Sequence, residues 1–443
     1  MKPSVRLSQC MIVKDEEKNI RRALSWGKGI VYEQIVVDTG STDRTVQIAE
    51  EMGAKVYHFP WINDFSAAKN FAIEKARGNW IAFLDADEYF SEEHVKKILP
   101  LLKQIEKDSF PSHRPHFVRS MLVNLDDNGK AITSGVQDRI LRNIPELRYF
   151  SRIHEHLDLV GGGQLCSCDA TEELTVIHTG YSEEAYREKN KKERNISMIR
   201  KELEENPKNA QMWMYLGDSL LLENKLEEAE EAYLHGVENP AVFADITRQD
   251  PGFSSLLKVK FGRNVDSDEE FMAAHQRAKD AGCVSPDVDY WAGEWFFRRG
   301  DEEKAIEYFE KALQQLDQYD GDDPLLLSAR LLITYQRVFS FYVKRNRPSE
   351  IVRYGVLLLR MEPYHAEVLK ELLLLLKKEP GEKETANATF EFLSKLYNFS
   401  AFKNKLFLIK VSRYALFTAL EKKVESLLSD EEREFVVNAG DSL

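Results

Sequence analysis

Short, nearly uninterrupted apolar runs alternate with amphipathic stretches from the start of the chain to about Tyr181, and this alternation predicts a layered α/β domain. Strands are expected at Leu7 to Val13, Gln34 to Asp38, Lys55 to Phe59 and along the run Trp80-Ile81-Ala82-Phe83-Leu84. Apolar residues at consecutive positions, rather than at every second one, are what a strand buried on both faces requires. Helices are expected between them, at Lys18 to Trp26, from near Asp43, and at Phe65 to Ala76. After Phe90 the pattern loosens into a helix at Glu92 to Lys107 and strands at His116 to Asn124, Asp138 to Arg142 and Leu174 to His178.

Beyond Tyr186 the period changes to that of long helices rich in Leu, Glu, Lys and Ala. Trp213, Leu216, Gly217, Leu220, Ala229, Tyr233, Gly236 and Pro240 fall at the spacings of a tetratricopeptide helix pair, and Ala292, Gly293, Phe296, Ala305, Phe309 and Ala312 repeat them. The small residues let two helices approach closely while the aromatic ones fill the gap. A degenerate pair is expected between Leu326 and Pro363, with further helices to Leu428. From Ala241 to Pro286 an irregular or extra repeat is expected, with a helix at Glu269 to Asp280. The expected division is a catalytic domain at 1–185, a linker helix at 186–206, helical repeats at 207–437 and a frayed tail at 438–443.

A chain of 443 residues with 43% hydrophobic and 30% charged residues has room for two or three domains of ordinary globular composition. Its net charge of -13 argues against a nucleic-acid partner, which would require phosphate neutralisation by Lys and Arg. No apolar run is long enough to predict a signal peptide or a membrane span. Four scattered cysteines fit a reducing compartment, so a cytoplasmic location is expected, and Cys166-Ser167-Cys168 reads as structural.

The chemistry gathers at strand ends. Asp85 and Asp87 follow the Trp80 strand at the carboxyl edge, where open α/β sheets bind ligands. Such a pair suits Mn²⁺ or Mg²⁺ bridging a nucleotide diphosphate. Asp38 ends a second strand, facing the same crevice, and can accept a hydrogen bond from a base edge such as uracil N3–H. Ser41 and Asp43 are placed to cap the following helix, a role that Asp38 fills less readily.

Four segments carry a family resemblance: Met11 to Glu16; Val37-Asp38-Thr39-Gly40-Ser41-Thr42-Asp43; Asn63 to Asn70; and Asp85-Ala86-Asp87-Glu88. In order and spacing they resemble the inverting family 2 glycosyltransferases, α/β proteins of the GT-A (nucleotide-diphospho-sugar transferase) fold. The resemblance spans roughly the first 180 residues. It implies a nucleotide site built from Val13, Glu16, Asp38, Gly40, Ser41, Asp43, Lys69, Asn70, Asp85 and Ala86, with Asp38 at the nucleobase and Asp85 near the ribose. It implies a metal held by Asp87, with Asp85 and His178 as further ligands. Lys69 stands where the family often has Arg, keeping the charge but not the bidentate phosphate geometry; the alternative is a solvated helix face. Arg139-Ile140-Leu141-Arg142, Ile153-His154-Glu155-His156 and Ile177 to Tyr181 resemble the subgroup that joins this domain to helical repeats, as in bacterial peptide glycosyltransferases of the sublancin S-glycosyltransferase type. An inverting transfer needs a base for the acceptor proton, and Glu155, between two imidazoles, is the candidate. His154 is expected at the acceptor or the diphosphate. Arg187, Lys191 and Arg194 share one helical face and read first as a solvated surface.

The implied activity is metal-dependent hexosyl transfer from a nucleotide-sugar, a UDP-sugar first, to a peptide or protein bound by the all-α repeats. The alternative acceptor is a cell-surface glycan or lipid-linked saccharide, with the repeats used for docking or for a homodimer. A noncatalytic scaffold is disfavoured by the intact carboxylates, and nucleotidyl transfer by the acidic Lys14-Asp15-Glu16-Glu17 loop, where a Gly-rich basic one would be needed.

Overall fold

A computed structural model of the chain describes residues 4–108, 114–126, 128–179, 189–238, 252–264, 267–321, 325–377 and 382–439. The chain divides into two compact units, Met1–Glu223 and Asn224–Leu443.

In the first unit the expected strands form as β1 (Leu7–Val13), β2 (Glu33–Asp38), β3 (Lys55–His58) and β4 (Trp80–Phe83). Helices α1 (Ile20–Ser25), α2 (Thr45–Glu51) and α3 (Phe65–Lys75) connect them. After these come β5 (Glu88–Phe90), α4 (Glu92–Asp108), β6 (Phe117–Leu125), β7 (Ala131–Arg142), β8 (Leu147–Phe150), β9 (His156–Leu159), β10 (Ser167–Asp169) and β11 (Thr175–His178). Among the described residues the strands make one sheet ordered β3-β2-β1-β4-β7-β6-β11-β5, with β10 also on β6, and a separate β8-β9 hairpin. The sheet is parallel from β3 to β4 and turns antiparallel where β7 joins β4.

Both faces of the sheet are covered, which is why β4 is apolar throughout and why the buried Ser8 and Gln9 of β1 are hydrogen-bonded, to Glu33 and to the Ala23 carbonyl. Met11, Val13 and Val36 meet Ile20, Leu24 and Ile48 of α1 and α2, while Trp80, Ala82 and Val118 meet Ile98 and Leu102 of α4. On the opposite face Cys10, Ile35, Ile81 and Phe83 pack against Ala72 and Ile73 of α3 and against Leu147, Tyr149 and Leu157 of the hairpin. β5, β8, β9 and β10 were not expected. Each spans only three or four residues, too few for alternation to register. β7 begins seven residues before its expected start because its first half, Ala131 to Gln137, is exposed on both faces, and its two large apolar residues, Ile132 and Val136, are too sparse to register as a strand.

The expected linker becomes helix α5 (Lys189–Glu205), followed by α6 (Ala210–Leu222). Both belong to the first compact unit, which runs past the expected boundary at 206/207 as far as Glu223. Arg152 explains part of this, since its guanidinium reaches Glu205 at 2.6 Å and Glu202 at 4.0 Å. Gly180, Tyr181 and Arg187 lie outside the described residues, as does the side chain of Lys191. The Arg194 guanidinium lies over the Phe65 ring at 5.6 Å, so this member of the expected solvated face packs on the catalytic domain.

The second unit is helical throughout its described residues. The repeat expected around Ala292 and Phe309 forms from Pro286–Arg298 and Glu302–Leu316. A Cβ built on Gly293 would lie 2.5 Å from the Phe309 ring, so the glycine is what lets these two helices close. The degenerate pair is present as Leu331–Lys344 and Pro348–Met361. The irregular segment contains Phe253–Arg263 and Asp268–Asp280, while Pro240 and residues 241–251 lie outside the described residues. Helix Asp430–Ala439 extends into the tail expected to fray at 438, and residues 440–443 lie outside the described residues. Among the described residues no helix is long and apolar enough to cross a membrane.

Candidate functional site

Register brings the strand ends together. Val13 pairs with Asp38 across β1 and β2, and His178 of β11 pairs with Glu88 of β5 on one side and Asn124 of β6 on the other. Asp85 and Asp87 lie in the turn between β4 and β5, beside these ends.

At the β2 end, Asp38 is 4% exposed and its carboxylate accepts from the Ser41 N–H at 3.0 Å and the Gly40 N–H at 3.2 Å. It therefore closes the turn after β2 and does not cap α2, because Gly40 at φ 110° folds the backbone over it. The Oδ2 atom also meets His58 Nδ1 at 3.2 Å. Burial pushes the Asp38 carboxyl up, but the hydrogen bonds from Ser41, His58 and Gly40 outweigh it and hold the group below the ordinary carboxylate value. The Ser41 hydroxyl adds a further hydrogen bond, so Ser41, Gly40 and His58 together engage the carboxylate on both oxygens.

Asp43 accepts from the Thr45 N–H at 2.9 Å at the start of α2 and from the Glu17 N–H at 3.0 Å. Ser41 differs from its expected capping role: its hydroxyl accepts from the Asp15 N–H at 3.0 Å and ties the loops after β1 and β2 together. The Val13 carbonyl accepts from the Thr39 N–H and hydroxyl, the Glu16 carboxylate from the Asn19 amide, and Ala86 packs in the apolar layer beneath α1.

Lys69 of α3 is 4% exposed, which removes the solvated-face alternative. Its ammonium lies 2.5 Å from Glu155 Oε1 and 4.0 Å from Asp85 Oδ1, between the rings of Phe83 and Tyr149. Burial would lower the Lys69 pKa, but Asp85 and Glu155 together raise it, so the lysine is charged. Asn70 has a different engagement from the one expected, donating to the Tyr149 carbonyl at 2.8 Å and accepting from the Tyr149 N–H at 2.9 Å. It fastens the hairpin to α3.

The three expected metal ligands do not meet as a set. Among the described residues no three His, Cys, Asp or Glu side chains converge on one point. Asp85 turns to cations, with Arg139 at 3.6 Å and Lys69 at 4.0 Å. Desolvation would raise its carboxyl, but Lys69, Arg139 and His178 favour the charged form and lower its pKa. Asp87 Oδ2 instead faces His178 Nε2 at 3.2 Å, while His178 Nδ1 lies 2.7 Å from Asn124 Oδ1. The Asp87 hydrogen bond raises the His178 pKa against the effect of burial. Two donor atoms this far apart match neighbouring positions around a cation bonded at just over 2 Å, roughly 3 Å apart in an octahedron. Asn124 fixes the imidazole so that Nε2 points toward Asp87. The pair thus fits a divalent ion that takes its remaining ligands from phosphate and water, and an imidazole in the set suits Mn²⁺ better than Mg²⁺.

Arg139, Glu88, Asn124 and Tyr215 were not given roles from the sequence. Arg139 bridges Asp85 and Glu88, the latter 2% exposed and 2.5 Å away. Glu155 directly precedes β9, and before it the His154 ring stacks on Tyr215 of α6 with centroids 3.7 Å apart.

A family model, Glycosyl transferase family 2, matches residues 8–175, and a Tetratricopeptide repeat model matches residues 184–240. A TPR repeat-containing protein of Synechococcus elongatus is 32% identical over 285 residues, 62% of this chain and 67% of that protein. The SPbeta prophage-derived glycosyltransferase SunS of Bacillus subtilis is 28% identical over 283 residues, 63% of this chain and 64% of the relative. These matches thus take in about two thirds of the relatives' own lengths. Among solved structures, S. aureus TarS 1-349 in complex with UDP-GlcNAc aligns with 14% identity over 71% of this chain and 92% of that one, at a TM-score of 0.32. With the strand-end carboxylates of an α/β catalytic domain followed along the chain by repeat helices, the chain belongs to the family 2 glycosyltransferases of the GT-A fold that carry tetratricopeptide repeats, and it is a glycosyltransferase.

Proposed function

We propose that the chain is a metal-dependent inverting glycosyltransferase that moves the sugar of a UDP-sugar to a peptide or protein acceptor. Lys69 carries the assignment: one buried ammonium joins Asp85, on the donor side, to Glu155, the candidate base, at 4.0 and 2.5 Å. Donor and acceptor chemistry therefore share one crevice.

The acceptor heteroatom attacks the anomeric carbon, the bond to the diphosphate breaks with its electron pair going to the phosphate oxygen, and the acceptor proton passes to Glu155. Arg139 and Lys69 supply fixed positive charge beside the departing group, where preorganised charge is worth more than in water. A divalent ion held by Asp87 and His178 would neutralise charge building on the leaving diphosphate. At the end of β2 the Asp38 carboxylate is the acceptor suited to uracil N3–H, taking the place of the Ser41 hydroxyl or of His58. Support for a polypeptide acceptor comes from the repeats, since such arrays present extended surfaces on which a peptide can lie.

The test is UDP release from a panel of UDP-sugars, with and without MnCl₂ and EDTA. Metal-dependent release from one sugar, lost in Asp87→Ala, and with donor binding retained but turnover lowered to a small measurable residue in Glu155→Gln, is expected. Turnover undiminished by EDTA and by Asp87→Ala would remove the metal from the proposal.

A further inference from the structure

Glu155 hangs from a backbone that two residues hold in an uncommon conformation. Ser151 has φ 69° and His154 has φ 52°, left-handed values that side chains other than glycine adopt rarely and that persist only when the surroundings enforce them. From α3, the Ser66 hydroxyl donates to the Ser151 carbonyl at 2.5 Å and the Phe65 N–H to the Arg152 carbonyl at 2.9 Å. From α5, Glu202 accepts the Arg152 N–H at 3.3 Å and Glu205 takes its guanidinium at 2.6 Å. From α6, the Tyr215 ring lies against His154 at 3.7 Å and an interplanar angle of 15°. Gln211 fixes the Tyr215 hydroxyl at 3.0 Å, so the platform itself is held.

The left-handed turn at His154 is the last backbone element before Glu155, and α6 touches it through this stack. We propose that Tyr215 is a positioning residue for catalysis: by stacking on His154 it holds the turn that aims Glu155. The inference rests on Glu155 being the base. It gives the first helices of the repeat region a second duty beside acceptor recognition. Without the ring, His154 is released to relax toward a right-handed conformation, which redirects the next side chain away from Lys69 and from the acceptor.

The experiment uses the full chain, UDP-glucose or UDP-N-acetylglucosamine as donor and water as acceptor, with UDP affinity measured by calorimetry. Tyr215→Ala and Tyr215→Leu are expected to lower kcat at least tenfold with UDP affinity and KM within twofold of wild type, because neither presents a ring face. Tyr215→Phe, which keeps the face, is expected to restore kcat to within twofold. On a Glu155→Gln background, Tyr215→Leu should add no further loss, as befits a residue acting through Glu155. Wild-type kcat in Tyr215→Leu, or the same fold-loss on both backgrounds, overturns the inference while the base assignment stands. Wild-type turnover in Glu155→Gln overturns the base assignment itself and the inference with it.

Discussion

Asp87 and His178 face each other across 3.2 Å at adjoining strand ends, and Asn124 holds the far side of the imidazole at 2.7 Å. A carboxylate and an imidazole so oriented can share a cation. Asp87→Ala and His178→Ala are each expected to weaken Mn²⁺-dependent UDP binding at least tenfold and to leave the metal-free affinity unchanged. Asn124→Ala should weaken it by a smaller factor, since it acts only through ring orientation; loss of an orienting partner typically costs about 10–100-fold. Calorimetry with UDP in MnCl₂ and in EDTA decides the matter, and equal Mn²⁺ dependence in wild type and His178→Ala would exclude the imidazole as a ligand.

Arg139 and Glu88 form the buried counterpart of that pair. The Glu88 carboxyl, 2% exposed, is pushed up by burial and by nearby Asp85 while Arg139 opposes both. Arg139→Ala would strand it, and breaking a buried ion pair from one side costs about 3–5 kcal/mol. Arg139→Lys should recover only part of this, because an ammonium has no planar fork with which to bridge Glu88 and Asp85. Urea denaturation of the three proteins tests the order; Arg139→Ala as stable as wild type would contradict it.

These pairings show what a sequence can and cannot disclose about such a site. Asp38, Asp85 and Asp87 were legible because each interrupts an apolar run that only a doubly covered strand would have. Partners were not. Arg139 meets Glu88 across 51 positions, and His178 meets Asn124 across 54, so no local period records either. Lys69 had the spacing of a surface residue and is buried because the β8-β9 hairpin, itself too short to read, folds Tyr149 over it. In the repeats the reverse held: small and large residues at fixed spacing disclosed the Gly293 and Phe309 contact, since packing within a helix pair is a local matter.

That contact yields its own expectation. A methyl at Gly293 would sit 2.5 to 2.6 Å from two Phe309 ring carbons, well inside van der Waals distance. Gly293→Ala is expected to destabilise the repeat unit by about 1–3 kcal/mol through overpacking, despite the better helix propensity of Ala. Adding Phe309→Leu should make the methyl less costly, so the double variant is expected to lie above the sum of the two single effects. A double-mutant cycle in urea measures the coupling, and strict additivity would mean that the ring and the glycine do not interact.

A pH dependence follows from Asp289, whose side chain is 3% exposed in the second unit. Burial would raise its carboxyl, but hydrogen bonds from His275 at 2.7 Å and Lys279 at 2.6 Å outweigh it and bring the pKa to about 2, from an ordinary 3.8. The folded value is the lower one, so the stabilisation is fully present above pH 3.8 and is lost as pH falls through about 2. A shift of this size corresponds to about 2 kcal/mol. Asp289→Asn keeps the shape, removes the charge and leaves Lys279 without its buried partner, so at pH 7 it is expected to lower stability by about 2–4 kcal/mol. The difference between wild type and variant should narrow steadily below pH 4, as wild-type Asp289 itself becomes protonated. Denaturant melts of the two proteins from pH 7 down to pH 2.5 supply the comparison, and a gap that stayed constant across that range would show that the Asp289 charge contributes nothing to folding.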